Sequence, residues 1–337
     1  MKIGLAYDIK QEALLGNTGD DDNNDDDAAE EYDSPDTIKA IASALGSAGH
    51  TVIYLGGGQR FLTNIISLQD HVQLVFNISE GVGSYRSREA QVPSVLEMLD
   101  IPYSGSDPQC LAICLDKPLA KKLVQGTGVC TPRWLTVSNE QEAQNYIDMP
   151  FLPAFVKPAF EGSSKGIHTG CRVQTQEQMT SMVRKLLAHY HQPVVVEEFI
   201  AGDEVTVGIV GNHLLGIMRI VPKNRDANFV YSLEAKRDWQ HAVDYECPAQ
   251  YEDKIIQHIT YFSLQAFTAL GCRDCARLDF RINAKGIPYF LECNPLPGLN
   301  PQAGDLPIMA SLMGWSYQQL ITSVLDSALE RYPALCT

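Results

Sequence analysis

The segment Ala276-Arg277-Leu278-Asp279-Phe280-Arg281-Ile282 runs through Asn283-Ala284-Lys285-Gly286 into Ile287-Pro288-Tyr289-Phe290-Leu291-Glu292-Cys293-Asn294-Pro295-Leu296-Pro297-Gly298. It reads as two strands around a tight turn. In the first strand Leu278, Phe280 and Ile282 alternate with Arg277, Asp279 and Arg281, so the pattern predicts one buried face and one polar face. Residues 283–286 carry turn chemistry and suggest a hairpin. Setting Ile282 opposite Ile287 places Arg277 opposite Glu292, with Asp279 diagonal to it. Glu292 and Asn294 then share a face with Asp279. Three oxygen donors beside one guanidinium suit a hard cation such as Mg²⁺ holding phosphates. A surface salt bridge on an ordinary hairpin is the other reading, and this stretch alone does not choose between them.

The chain has 337 residues, enough for two or three domains with a sizeable core. Its 45% hydrophobic and 20% charged residues are those of a globular protein. No apolar run has the length of a membrane span, and MKIGLAYD is a short strand pattern rather than a signal peptide. Nine scattered cysteines read as reduced thiols and predict a cytoplasmic location. The formal charge is −15, of which residues 20–31 supply eight acidic groups. The remainder, −7, offers no basic cluster for nucleic acid.

Lys2 to Tyr7 predicts a first strand without a dinucleotide-binding glycine turn after it. The acidic tract that follows has Asp25 where a calcium loop needs glycine, so it is expected to be a solvated, disordered insertion over 17–32. Ser34-Pro35-Asp36 starts a helix that Gly46 and Gly49 end. Thr51–Leu55 and Leu74–Ile78 are further strands, and Arg88–Leu99 a helix. This alternation predicts an open, mostly parallel α/β sheet over 1–108. Ligands of such sheets sit at the carboxyl ends of strands, which draws attention to Asn77–Glu89. Residues 116–128 predict a helix capped by Asp116. Strand 153–157 enters Phe160-Glu161-Gly162-Ser163-Ser164-Lys165-Gly166, whose free amides could surround an anion, although such loops are usually plain turns. A helix over 176–190, a strand over 193–199, a hairpin around Gly211-Asn212, a polar irregular stretch over 222–249 and helices over 251–270 and 316–331 complete the chain. So long a polar stretch is expected to be a lid or disordered. Cys272-x-x-Cys275 runs into a strand that puts its members on opposite faces. A zinc site would need two more ligands nearby, so the pair is expected as buried thiols.

Four motifs occur in order: Val156-Lys157-Pro158…Glu161-Gly162-Ser163-Ser164-x-Gly166, then Val196-Glu197-Glu198-Phe199-x₂-Gly202-x-Glu204, Ala276-Arg277-x-Asp279-Phe280, and Leu291-Glu292-x-Asn294-x₂-Pro297-Gly298. With Pro102-Tyr103-Ser104-Gly105-Ser106 and Asp116-Lys117, they resemble the ATP-grasp superfamily, specifically the D-alanine–D-alanine ligase group, over about residues 70–330. The resemblance implies an N-terminal α/β substrate-binding domain (1–108) and a two-part α+β ATP-grasp domain. Its lid-bearing part would span 109–204 and its catalytic part 205–337. It implies Lys117 and Lys157 on the nucleotide phosphates, and residues 161–166 (Glu161, Gly162, Ser163, Ser164, Gly166) as the lid over them. Glu197 would sit at the adenine end with Glu198 and Phe199 beside it, and Glu204 on the ribose. Asp279, Glu292 and Asn294 would bind Mg²⁺ or Mn²⁺, and Arg277 would lie next to the transferred phosphate. Ser163, Lys236 and Glu31 join Arg277 as catalytic candidates; Glu31 is reached by counting back from Gly49.

The implied reaction uses ATP to turn one amino acid's carboxylate into an acyl phosphate, which the amine of a second attacks. The D-alanyl-D-alanine of peptidoglycan synthesis is the leading product. Other amino-acid or peptide substrates are the alternative, and a non-catalytic ATP-binding protein comes third. The resemblance implies small-molecule partners and allows a homodimer. It breaks at the substrate end. The family's glycine-rich Glu-Arg-Glu-Val-Ser loop is missing, and its His-Gly-x-x-Gly-Glu-Asp-Gly loop is replaced by one carrying Arg86 and Arg88. Arg237 stands for a tyrosine, and the serine beyond Gly298 is lost. Each new arginine is either a carboxylate binder or an exposed charge.

Overall fold

The structure is a computed structural model describing residues 1–10, 27, 30–145, 151–224, 226 and 229–335. Of the insertion expected over 17–32, only Asp27 and residues 30–32 lie within the described residues. Strands β1 (Lys2–Tyr7), β2 (Thr51–Gly56) and β3 (Leu74–Ile78) form a parallel sheet in the order β2-β1-β3. Ile3, Leu5 and Ala6 of β1 are all buried, because helices cover both faces of a parallel sheet. Helix Pro35–Ser47 begins as its sequence dictates: the Ser34 hydroxyl accepts the Thr37 amide at 3.2 Å, with proline in the first turn. A second helix, Gly58–Leu68, was not legible; two glycines precede it and a third is its first residue. Gly57 is required there because a Cβ would lie 1.7 Å from the Asp8 carboxylate.

A four-stranded antiparallel sheet, in the order β4-β7-β5-β6, comprises β4 (Trp134–Val137), β5 (Ala154–Pro158), β6 (Arg172–Val173) and β7 (Val194–Glu198). Helix Gln176–Tyr190 covers it with Met179, Val183 and Leu186. A five-stranded sheet follows, in the order β10-β9-β8-β11-β12. It is built from β8 (Gly202–Val210), β9 (His213–Pro222), β10 (Val243–Glu246), β11 (Cys275–Asn283) and β12 (Pro288–Asn294). The polar stretch over 222–249, expected to be irregular, holds helices Leu233–Arg237 and Trp239–Ala242 and the edge strand β10. Tyr231 and Val243 give it a small core of its own against Ile220.

One face of the five-stranded sheet packs against helices Lys117–Gly126 and Asp253–Leu270. The other meets helix Asp305–Leu312, with Leu306 and Met309 seated over Gly208 where a side chain would clash. Helix Tyr317–Glu330 then crosses to helix Pro35–Ser47, so one core runs from the parallel sheet to the five-stranded one. Asp274 pins this junction, accepting from the Gly105 amide at 2.7 Å, the Ser327 hydroxyl at 3.0 Å and Arg331. No helix among the described residues is long and apolar enough to cross a membrane. Leu325 is fully buried at the crossing. Leu325→Ala should cost about 2–5 kcal/mol in urea unfolding, with faster amide exchange in β1 as well as in the C-terminal helix.

Candidate ATP and metal site

Turn and bulge together decide the register of the β11–β12 hairpin. Asn283 Oδ1 accepts the amides of Lys285 and Ile287, and the Gly286 amide donates to the Asn283 carbonyl. Gly286 has φ +72°, and a Cβ there would lie 2.6 Å from Ile255. The turn is one residue longer than expected, so Ile282 faces Pro288 rather than Ile287. An irregularity after Asp279 leaves Leu291 unpaired. Asp279 therefore stands directly opposite Glu292, and Arg277 opposite Asn294, which corrects the expected pairing of Arg277 with Glu292. The polar face is not solvent-facing either: Arg277 and Arg281 are 9% and 5% exposed.

Around this pair the polar groups converge. Asp279 accepts from Thr206 at 2.6 Å, from Arg277 at 2.9 Å and from the Asn294 amide at 3.2 Å. The other arm of Arg277 reaches Asp305 at 3.2 Å. Lys117 lies 3.8 Å from Glu292 and donates to the Glu161 carbonyl. Lys157 sits 2.8 Å from Glu197, whose second oxygen lies 2.8 Å from Lys121. Lys121 was missed in the sequence, although its i, i+4 spacing from Lys117 puts both on one face of helix Lys117–Gly126.

Burial would push the Glu292 carboxyl up, but Lys117, Lys157 and Arg277 outweigh it and hold it down at about 2. Burial likewise opposes ionisation of Glu197, and its two lysines again win. Lys121 goes the other way: burial dominates and pushes its ammonium down to about 8. Burial also pushes the Glu204 carboxyl up, against the pull of Arg281 3.8 Å away.

One cleft is lined by Lys157, Ser164, Glu197, Glu198, Phe199 and Glu204, and it reaches Lys236, Asp279 and Glu292. Phe199 forms an apolar wall there, with the Arg172 and Arg281 guanidiniums over its ring at 4.8 and 4.6 Å. The Glu198 carboxylate is held by Arg133 at 2.9 and 3.1 Å. A second cleft joins Lys117, Glu161, Gly162, Ser163, Glu292 and Asn294. A third, wider one holds Glu31, Ser163, Lys236 and Arg277. The glycine loop stands where these meet, with Ser163 and Ser164 at φ +48° and +61°.

The loop's own bonds depart from a plain lid. The Gly162 amide donates to Glu31 at 2.9 Å and the Gly166 amide to Asp27 at 2.8 Å. The Glu161 carboxylate is turned toward Gln192 at 2.6 Å, Lys165 at 2.7 Å and Arg88. Arg88 is 3% exposed, bonded to Glu31 at 2.5 Å and to the Phe160 carbonyl at 2.9 Å. It is therefore an internal clamp, neither an exposed charge nor a guanidinium open to a substrate carboxylate. Arg86 is the exposed one, 3.4 Å from Asp116, and Arg237 pairs with Glu30 at 2.8 Å.

Next to this clamp Glu89 is buried, and desolvation pushes its carboxyl up to about 8. A carboxyl raised by folding contributes stability that is complete below 4.5 and lost as pH rises through about 8. The thermal midpoint of Glu89→Gln, relative to the native chain, should climb between those two pH values and level off above them.

The family model for the D-ala D-ala ligase C-terminus matches residues 123–326. The D-alanine–D-alanine ligase of Aquifex aeolicus is 32% identical over 298 residues, covering 88% of this chain and 96% of that one. An uncharacterised protein of Sinorhizobium fredii is 32% identical over 302 residues, 87% of each chain. Among solved structures, the D-alanine–D-alanine ligase of Bacillus anthracis complexed with ATP superposes with a TM-score of 0.72 over 99% of both chains, at 23% identity. At that identity the likeness speaks for the fold.

Proposed function

The chain belongs to the D-alanine–D-alanine ligase family, and from that premise we propose that it is an ATP-dependent ligase joining two amino acids, with D-alanine the first substrate to test. The observation that carries the reading is the convergence of Asp279, Glu292 and Asn294 beside Lys117 and Arg277. Two facing carboxylates and an amide form an all-oxygen donor set, which fits Mg²⁺ or Mn²⁺ and does not suit a soft metal. When bound there, the cation would neutralise phosphate charge in the reaction.

The chain's residues divide the remaining work. Lys117 and Lys157 act as fixed point charges for the phosphates; Glu197 and Glu292 hold Lys157 ionised against burial, whereas burial pulls the Lys117 ammonium down against the nearby Glu292. Phe199 offers the apolar wall for the base and Glu204 an acceptor for a ribose hydroxyl. The loop 161–166 closes over the phosphates, and Ser163 lines both clefts on the substrate side. Arg277, oriented by Asp279 and Asp305, offsets charge on the phosphoryl group as the first substrate's carboxylate attacks it. ADP leaves, the second substrate's amine attacks the acyl phosphate, and inorganic phosphate departs. Lys236 stands where the first and third clefts meet and faces these groups. Glu31 positions the glycine loop through the Gly162 amide. Rate enhancement comes from fixed charges and alignment.

One observation bears on the second substrate. The two guanidiniums lining the wider cleft, Arg277 and Arg237, each already hold a protein carboxylate, Asp305 and Glu30. A second substrate's carboxylate therefore competes with an internal one there.

Phosphate release from Mg-ATP across D- and L-amino acids and dipeptides, singly and in pairs, discriminates these readings. Release with D-alanine supports the first, and release only with other partners moves the substrate. No release with any pair would overturn ligase activity. Asp279→Asn and Glu292→Gln should each lower kcat by about 100-fold or more with an unchanged circular-dichroism spectrum. Full activity in either variant would remove the metal assignment.

A further inference from the structure

Four cysteines from three separate segments meet beneath the hairpin. Cys110 and Cys114 lie four apart on one face of helix Pro108–Leu115. Cys272 follows helix Asp253–Leu270, and Cys293 sits on β12 between Glu292 and Asn294. All four are buried free thiols. The sulfurs of Cys110 and Cys114 are 3.9 Å apart, those of Cys110 and Cys272 3.7 Å, and those of Cys272 and Cys293 3.6 Å. Cys110, Cys114 and Cys272 all lie within 4.8 Å of one another. Cys275, the sequence neighbour that a Cys-x-x-Cys pattern would enlist, belongs to the core on the opposite side of the sheet.

The spacings of 3.6, 3.7 and 3.9 Å match one chemistry, with Cys293 outside the three sulfurs that are mutually within 4.8 Å and joined to them through Cys272. Zinc bound at about 2.3 Å by four thiolates in a tetrahedron sets adjacent sulfurs about 3.8 Å apart. A disulfide would need about 2.05 Å. Soft sulfur donors in a closed set select zinc over the hard cation of the neighbouring oxygen site. An entry path exists, because Cys114 and Cys293 also line the second cleft with Lys117 and Glu292.

We propose that Cys110, Cys114 and Cys272 form a structural zinc site, with Cys293 drawn in beside Cys272 as the fourth ligand, and that it braces β12. Binding releases the thiol protons to solvent and involves no redox change. With Cys293 fixed from below, Glu292 and Asn294 on the other face of the strand are held to one geometry. The site ties helix Pro108–Leu115, which leads into Lys117, to the same strand. It does not depend on the ligase reading.

The test is metal analysis of the full chain, purified without chelators or metal-affinity resin. One zinc per chain is expected. Chelation should lower the thermal midpoint, and readdition of zinc should restore it. Cobalt added to the zinc-free chain should give the thiolate charge-transfer and visible bands of tetrahedral coordination. Cys272→Ala should lose both zinc and those bands, while Cys275→Ala, equally buried but outside the cluster, keeps them. Should Cys272→Ala fail to fold, the cobalt titration of the native chain still decides. Absence of zinc together with absence of thiolate bands overturns the site, as does a Cys272–Cys293 disulfide in peptide maps of the unreduced protein.

Discussion

A lysine ammonium cannot be held inside a protein without a counter-charge, and the site is built around three of them. Lys117, Lys121 and Lys157 are 6%, 0% and 3% exposed. Each loses most of its hydration and must recover it from carboxylates. Glu197 serves two and Glu292 one, which leaves positive charge in local excess where Lys117 and Lys157 face the clefts. An anion with several charges completes that balance better than any single side chain. Glu292 is drawn two ways, toward Lys117 and toward the oxygen set it forms with Asp279, and its depressed carboxyl keeps it ionised for both.

A second network, centred on Arg88, holds the glycine loop. Arg88 gathers Glu31, Glu161 and the Phe160 carbonyl, so the N-terminal acidic segment is stitched to the glycine loop. Asp27 reinforces it through the Gly166 amide and the Tyr190 hydroxyl. Motion of the loop must therefore break charge-assisted bonds to residues more than 130 positions earlier in the chain. Any movement of this loop is coupled by that geometry to the placement of Asp27 and Glu31. The same carboxylates occupy backbone amides that a glycine loop would otherwise present to phosphate.

Local rules carried much of the fold. Strand alternation, the Ser34 and Asp116 caps and the apolar stripe of helix Gln176–Tyr190 are nearest-neighbour effects, and each appears where the sequence places it. Helix Gly58–Leu68 escaped because a run of three glycines spans its start and no side chain caps it. The short helices over 233–242 escaped because their core, Tyr231 and Val243 on Ile220, exists only after β9 and β10 pair.

By itself, the sequence determined the family, since motif order survives any register, and it named Asp279, Glu292 and Asn294 as the expected oxygen donors. Only the tertiary structure decided which donors face each other. A one-residue-longer turn and an unpaired Leu291 moved Asp279 opposite Glu292, and neither is visible without the Ile255 packing that shapes the turn. It also decided that Arg88 is a clamp and that the partners of Cys272 are Cys110, Cys114 and Cys293. Those contacts join residues 21 to 162 positions apart, a separation across which strand and helix periodicity carry no information.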